Sequence, residues 1–332
     1  MKMKHGAPTP LQRLLGLLHP ERKTINYIFL YAIVIGIFSL SIPIGITAVF
    51  NLLVNGAMYS STYILIIAVI AAVIIGGTLL IGQLSLVEYL EQKTFLKSSL
   101  EFAYRLPRIK ATELVGENLR ELVNRFFDVI VIQKGIIKLL IDVIAAIVTI
   151  FVSVILLSFY HPVFLAFGFV IIGVMVIILL VYYKRGLNTS IQESEHKYET
   201  VAYLEEVAAD IDRYRGNPKL MEEVVRNTDL ITGKYLRARN EHFTVLKRFF
   251  AGSVLIRTLL FGAMLLLGSY FVVERQMTFG QFVAAEVVIV QIGAAVEKLL
   301  TNLDTIFDML TGTVKLAVVT DLELEEEAAN HG

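Results

Sequence analysis

The chain has 332 residues, of which 56% are hydrophobic and only 18% charged, and its mean hydropathy is +0.68. Thirty basic residues balance thirty acidic ones and cysteine is absent, which excludes a strongly basic nucleic-acid binder, a disulfide framework, thiolate metal sites and cysteine nucleophiles. So much apolar surface cannot be hidden from water, so lipid is part of the solvent and the chain is a polytopic membrane protein.

Thr9-Pro10 followed by Leu11, Leu14, Leu15, Leu17 and Leu18 predicts a short helix with proline in its first turn. It is expected to lie on the inner membrane surface and to end at His19-Pro20. Met1-Lys2-Met3-Lys4 is not followed closely by a short apolar core and a cleavage site, so no cleaved signal peptide is expected. Residues 24–87 then run for 64 positions without a formal charge. A span needs about 20 apolar residues, so this stretch is two helices, 24–54 and 63–87, joined through the polar residues 55–62. Residues 143–183 are likewise free of charge and are broken at Ser158-Phe159-Tyr160-His161-Pro162, which gives spans at 136–158 and 162–183. The fifth and sixth spans, 249–273 and 279–300, flank Glu274-Arg275-Gln276-Met277-Thr278. The count is six.

Orientation follows from the basic residues. Residues 1–23, 88–138 and 184–248 hold 26 of the 30, whereas the three opposite turns hold only Arg275. The excess marks the cytoplasmic side, so both termini are expected there, in the inner (plasma) membrane. The stretches on that side read as helices. Met221, Val224, Thr228, Ile231, Tyr235, Ala238, His242, Val245 and Phe249 recur at alternating steps of three and four. The spacing predicts one helix over 219–273, about 80 Å long. Leu187, Ile191, Tyr198, Val201, Leu204, Ala208 and Ile211 form a similar stripe below span four, and Gly216-Asn217-Pro218 turns the chain between the two. Span two continues through Glu88 and Lys97 toward Arg105. Four helices therefore project into the cytosol in two antiparallel pairs.

Three functional classes fit such a chain: a transport subunit driven from the cytoplasm, an integral-membrane enzyme, and a scaffold with a signalling stalk. An enzyme calls for clustered His, Asp or Glu at membrane depth, but His5, His19, His161, His196, His242 and His331 are scattered without a metal-site spacing. A scaffold predicts spans without polar groups, whereas Asp142, Arg257 and Glu286 lie inside them. Asp142 and Arg257 sit at equal depth, about 24 Å below the outer surface, and are expected to pair, either structurally or in a pathway. Glu286, about 10 Å deep, is expected to line a translocation cavity, with an inter-helix hydrogen bond as the alternative.

The segment Val273-Glu274-Arg275-Gln276-Met277-Thr278-Phe279-Gly280-Gln281-Phe282-Val283-Ala284-Ala285 is similar to a Gly-x-Leu-Thr-x-Gly-x-Leu-x-Ala pattern leading into a sixth span, with Gln276 in place of a small residue. Val115-Gly116-Glu117, Leu122-Val123-Asn124-Arg125 and Asp128 are similar to a Gly-Glu-Leu…Ser-Arg…Asp segment, with altered spacing, and Asp212-Arg213-Tyr214-Arg215-Gly216 stands where Val-Lys-Ala-Phe is usual. Through these segments, in this order, the chain resembles the transmembrane domain of bacterial ABC exporters, the type-1 six-helix module. The implied fold is all-α: six transmembrane helices with long cytoplasmic extensions. The resemblance implies a dimer with a second copy or a homologous chain, helices exchanged toward the opposite ATPase domain, and two short coupling helices. These would fall on Ile109, Lys110, Ala111, Thr112, Glu113 and Leu114, and on Lys197, Tyr198, Glu199, Thr200, Val201, Ala202, Tyr203 and Leu204. The alternative for both is solvated helical surface.

No phosphate-binding Gly-x-x-x-x-Gly-Lys-Ser/Thr run occurs, and Gly312-Thr313-Val314-Lys315 has the wrong spacing. The chain itself is therefore expected to be no enzyme and to bind no cofactor. ATP and Mg²⁺ would be held by a partner nucleotide-binding ATPase, encoded separately or lost by truncation. The division expected is a lead-in at 1–23, the transmembrane domain at 24–318 and an acidic linker or tail at 319–332.

Overall fold

A computed structural model of the chain describes residues 8–54, 60–114 and 119–325. Residues 55–59 of the first short turn, Val115-Gly116-Glu117, His5, His331 and the end of the acidic tail lie outside the described residues. The described chain is helical, apart from one isolated bridge between Ile109 and Leu324. Six helical stretches are long and apolar enough to cross a membrane.

α1 (Pro10–Leu18) starts on Thr9, whose hydroxyl accepts from the Gln12 N–H while the Gln12 side chain accepts from the Thr9 N–H. It does not simply float on lipid. Leu14 and Leu18 are buried in the protein, and only Leu11 and Leu15 face outward. The first span is two helices, α2 (Arg22–Ser39) and α3 (Ser41–Val54). Pro43 lacks the N–H that would bond the Ser39 carbonyl, and the helix breaks at Leu40. At the start of α2, Glu21 is 7% exposed and receives Lys93 and Lys97 at 2.9 and 2.6 Å. Both lysines stand on α4 (Ser60–Arg105).

After the short helix α5 (Leu119–Asn124), the third span combines α6 (Asp128–Ile137), a π-helical turn over Lys138–Val143 and α7 (Ile144–Tyr160). His161 precedes Pro162 and takes the extended backbone that proline imposes on its predecessor. It stacks on Phe271 at 3.8 Å between ring centres and bonds Gln276 at 3.1 Å, so it is a turn residue.

α8 (Val163–Ala209) has 47 residues and α10 (Pro218–Val273) has 56, or about 70 and 84 Å. A hydrocarbon core is about 30 Å thick, so each helix continues far past its span. We call that side the extension side and the other the short-turn side. Between the two helices, α9 (Ile211–Tyr214) and Gly216 at φ +76° form the tip, and the Asn217 side chain caps α10. α11 (Phe279–Thr301) starts on a Thr278–Gln281 capping box, and α12 (Leu303–Thr320) carries the sixth helix down the extension side.

Two apolar cores hold these helices together. One joins α7, α8, α10 and α11 through Phe164, Phe249, Leu260, Met264 and Ile289, all fully buried, and reaches Phe307 on α12. The other joins α1, α2, α4, α6 and α12 through Leu14, Ile28, Leu90, Ile132 and Met309. Glycine permits the closest approaches. A methyl group on Gly135 would collide with Met309, and one on Gly186 would stand 2.5 Å from the Phe307 ring. The apolar part of α4 shows Ile64, Ile67, Ile70, Ile74 and Ile81 to the outside, a composition suited to hydrocarbon. It is tied inward by Gln83, whose amide donates to the Ile28 carbonyl at 3.2 Å.

Candidate functional site

Five charged side chains gather where the spans meet the extension side. Asp142 sits in the π-helical turn and is bound by Lys138, one turn earlier, at 3.0 Å and by Lys298 on α11 at 2.7 Å. Arg257 on α10 binds Glu297 on α11 at 2.8 Å. The expected Asp142–Arg257 pair is therefore not formed. Equal depth puts two charges on one level but says nothing about which helices face each other, and α11 stands beside both α7 and α10 and offers each charge a nearer partner. Measured from the short-turn ends, Arg257, Asp142, Glu297 and Lys298 all lie about 24–29 Å deep. Asp142 is mostly buried, with 15% of its side chain exposed, whereas Arg257 and Glu297 are half exposed at 54% and 48%. Glu286 lies higher on α11, half-buried, and its Oε1 has no hydrogen-bond partner.

On the extension side, beyond the spans, a polar joint connects α6, α8 and α12. Tyr198 on α8 is buried and its hydroxyl donates to Asp128 Oδ2 at 2.5 Å. The Arg125 guanidinium stacks 3.7 Å from the Tyr198 ring centre and pairs with Glu121. Lys315 on α12 approaches the same ring at 6.0 Å and Glu195 at 3.9 Å. Burial pushes the Asp128 carboxyl up, against the Tyr198 hydrogen bond and the neighbouring cations, and pushes the Lys315 ammonium down. The joint thus ties three helices together through groups whose partners only partly offset the loss of hydration.

The two stretches expected as coupling helices have other forms. In the first, Ile109 and Lys110 are not helical. Ile109 is extended and bridges to Leu324, Lys110 N donates to the Glu323 carbonyl at 3.0 Å, and Glu325 N donates to the Arg108 carbonyl at 2.7 Å. Only Ala111, Thr112, Glu113 and Leu114 form a 3₁₀ turn. The segment following α12 supplies a strand-like partner that nothing in residues 109–114 reveals. The second stretch is not a separate helix but lies within α8, before the tip at α9. There Lys197, Glu199, Val201 and Leu204 are exposed, Thr200, Ala202 and Tyr203 are half-buried, and Tyr198 belongs to the buried joint. Arg125 and Asp128 were singled out by the sequence, but their meeting with Tyr198 and Lys315 was not. The spacing of Tyr198 in an otherwise aliphatic stripe was the only signal. Gly312 and Lys315 lie within α12 and not in a loop.

Among curated proteins no relative matches the chain. A family model described as the ABC transporter transmembrane region matches residues 25–212. That match covers more than half of the sequence and takes in the first four spans, the first extension-side loop and α8 as far as the start of α9. With six long apolar helices and this match, the chain belongs to the ABC transporter transmembrane family.

Proposed function

We propose that the chain lines one half of an ATP-driven export pathway, as a dimer with a second copy or a homologous chain. The observation that carries this reading is the Arg257–Glu297 pair, half exposed just inside the extension-side edge of a hydrocarbon core about 30 Å thick. A charge costs about 2.5–3.5 kcal/mol at the centre of a spanning helix and less toward its ends, so charged groups within the spans face a wet cavity or another protein chain rather than lipid. Glu286, on the same helix with an unpartnered oxygen, faces that cavity too. Asp142, held by two lysines, is structural.

Both termini lie in the cytoplasm of a cell whose inner (plasma) membrane holds the chain, and the extensions engage a nucleotide-binding ATPase on another chain. ATP and Mg²⁺ belong to that partner, and this chain contributes no phosphate loop. The parts in contact are the exposed turn at Ala111–Leu114, the α9 tip and the exposed Lys197–Glu199 edge of α8. The lead-in through residue 23 and the acidic segment from about 319 flank this transmembrane domain.

The test uses the cysteine-free background. Single cysteines at 257, 286 and 297 are expected to react with a membrane-impermeant maleimide in reconstituted vesicles, and one at Ser60 is expected to react only from the external side. Protection of all three deep positions would remove the pathway reading. Joint charge reversal at Lys197 and Glu199 is expected to weaken co-purification of the ATPase without loss of membrane insertion. Undiminished co-purification would move the docking surface elsewhere.

A further inference from the structure

A cluster on the extension side plays no part in that reading. His242 on α10 is fully buried, and its Nε2 lies 3.2 Å from Asp304 Oδ1 on α12. One turn further along α12 is Asp308, whose Oδ1 accepts from the Ser190 hydroxyl on α8 at 3.3 Å. One ligand atom from each of His242, Asp304 and Asp308 lies within 4.8 Å of the others. We propose that these three side chains form a binding site for one first-row divalent cation, tying α10 to α12 and, through Ser190, to α8.

The distances suit the coordination. Nitrogen and oxygen ligands stand about 2.0–2.2 Å from such an ion. Two of them at the tetrahedral or octahedral angle are then about 3.0–3.5 Å apart and trans ligands about 4.2 Å apart. The His242–Asp304 separation falls in the first range, and an adjustment of about half an ångström at Asp308, within one side-chain rotamer, brings the third ligand in.

The imidazole is also oriented as a ligand. The Thr189 hydroxyl lies 3.0 Å from the carbonyls of Arg185 and Gly186 and 2.8 Å from His242 Nδ1. Without a cation, Nε2–H donates to Asp304; when Thr189 gives its single proton to a carbonyl it can accept the Nδ1 proton, which frees the Nε2 lone pair for an ion at that place. A hydrogen bond to the far nitrogen is the usual support of a metal-bound histidine.

A second observation points the same way. Asp308 opens on a cavity of 80 Å³, also lined by Asp128, Ser190, Glu193, Ser194, Lys197 and Thr311. The Ser194 hydroxyl there is buried and has no partner. Such a space holds the one or two waters that complete a coordination shell. The nearby guanidinium of Arg239 is hydrogen-bonded to Glu193, at 3.1 and 3.3 Å, and acts on Asp304 through its charge alone, so the ligand atoms on offer come from two aspartates and one imidazole. One nitrogen and two carboxylates are a mixed set suited to Mn²⁺ or Zn²⁺.

The experiment is Mn²⁺ titration of the purified full chain in nanodiscs, read by loss of the free-ion EPR signal. One Mn²⁺ per chain is expected, displaced by Zn²⁺, with a nitrogen modulation from the imidazole in the bound spectrum. Asp304→Asn and Asp308→Asn should each weaken binding at least tenfold and abolish the rise in Tm that Mn²⁺ gives the parent. His242→Gln should remove the nitrogen modulation. Absence of saturable binding by the parent chain would overturn the proposal whatever the variants do, as would equal affinity in well-folded Asp304→Asn and Asp308→Asn chains. No transport is measured, so failure here leaves the pathway reading untouched, and the reverse also holds.

Discussion

Lys298 on α11 reaches across to Asp142 in the π-helical turn of span three, Nζ to Oδ1 2.7 Å. The carboxylate is mostly buried and has a second partner in Lys138. Removing the acid leaves two ammonium groups facing each other, whereas removing one lysine leaves a pair intact. Asp142→Ala is therefore expected to cost about 2 kcal/mol, a value reduced from that of a fully buried pair because both lysines are half exposed. Lys298→Met should cost less than half as much. Thermal unfolding in nanodiscs gives the order of the two, and equal losses would show that Lys138 does not compensate.

Arg275, at φ 58°, is the one non-glycine residue with positive φ among the described residues. It closes α10, with the following Gln276 N–H donating to the Phe271 carbonyl at 2.9 Å. The left-handed region costs an ordinary residue about 1–2 kcal/mol, part of which glycine returns as unfolded-state entropy. Arg275→Gly should stabilise the chain by about 0.5–1 kcal/mol, and a lowered Tm would contradict this account of the turn.

Gly135 and Met309 bring α6 and α12 into contact, with no room for a methyl group. Gly135→Val should force the helices apart and cost about 1–3 kcal/mol. Gly77, on the outward face of α4, has nothing within 4 Å of an added methyl carbon. Gly77→Ala therefore serves as the control and should leave Tm unchanged or slightly raised.

Glu21 lies on the extension side, ahead of the first span. Hydrogen bonds from Lys93 and Lys97 hold its carboxyl below the ordinary value of 4.5. A lowered pKa in the folded state means that the bound lysines stabilise the protein wherever the acid is ionised. The stability difference between the parent and Glu21→Gln should hold its full value above pH 4.5 and disappear as the pH falls through the lower folded-state pKa. A difference that persists in acid would assign the role of Glu21 to packing.

Hydropathy made the six apolar helices legible, because nothing else explains 64 uncharged residues in a row. The continuous helix from Pro218 to Val273 was legible for a related reason: a stripe at three- and four-residue steps runs from the extension into the span without a break. What stayed hidden depends on neighbours distant in sequence. Periodicity continues through Lys138–Val143, so it gives no hint of the π-helical turn. The bridge from Ile109 to Leu324 joins segments more than two hundred residues apart. The partners of Asp142 and Arg257 were missed because depth is a one-dimensional quantity, whereas pairing depends on which helix stands alongside.

The 56 residues of α10 make it a lever. With about 30 Å of its roughly 84 Å length in the bilayer, more than 50 Å stands free of the membrane on one side. A tilt of about 10° around the extension-side membrane edge sweeps the far end through roughly 9 Å, while the residues just inside that edge move by only an ångström or two. The gearing also runs the other way: a modest push at the tip arrives among the spans as a small displacement with multiplied force.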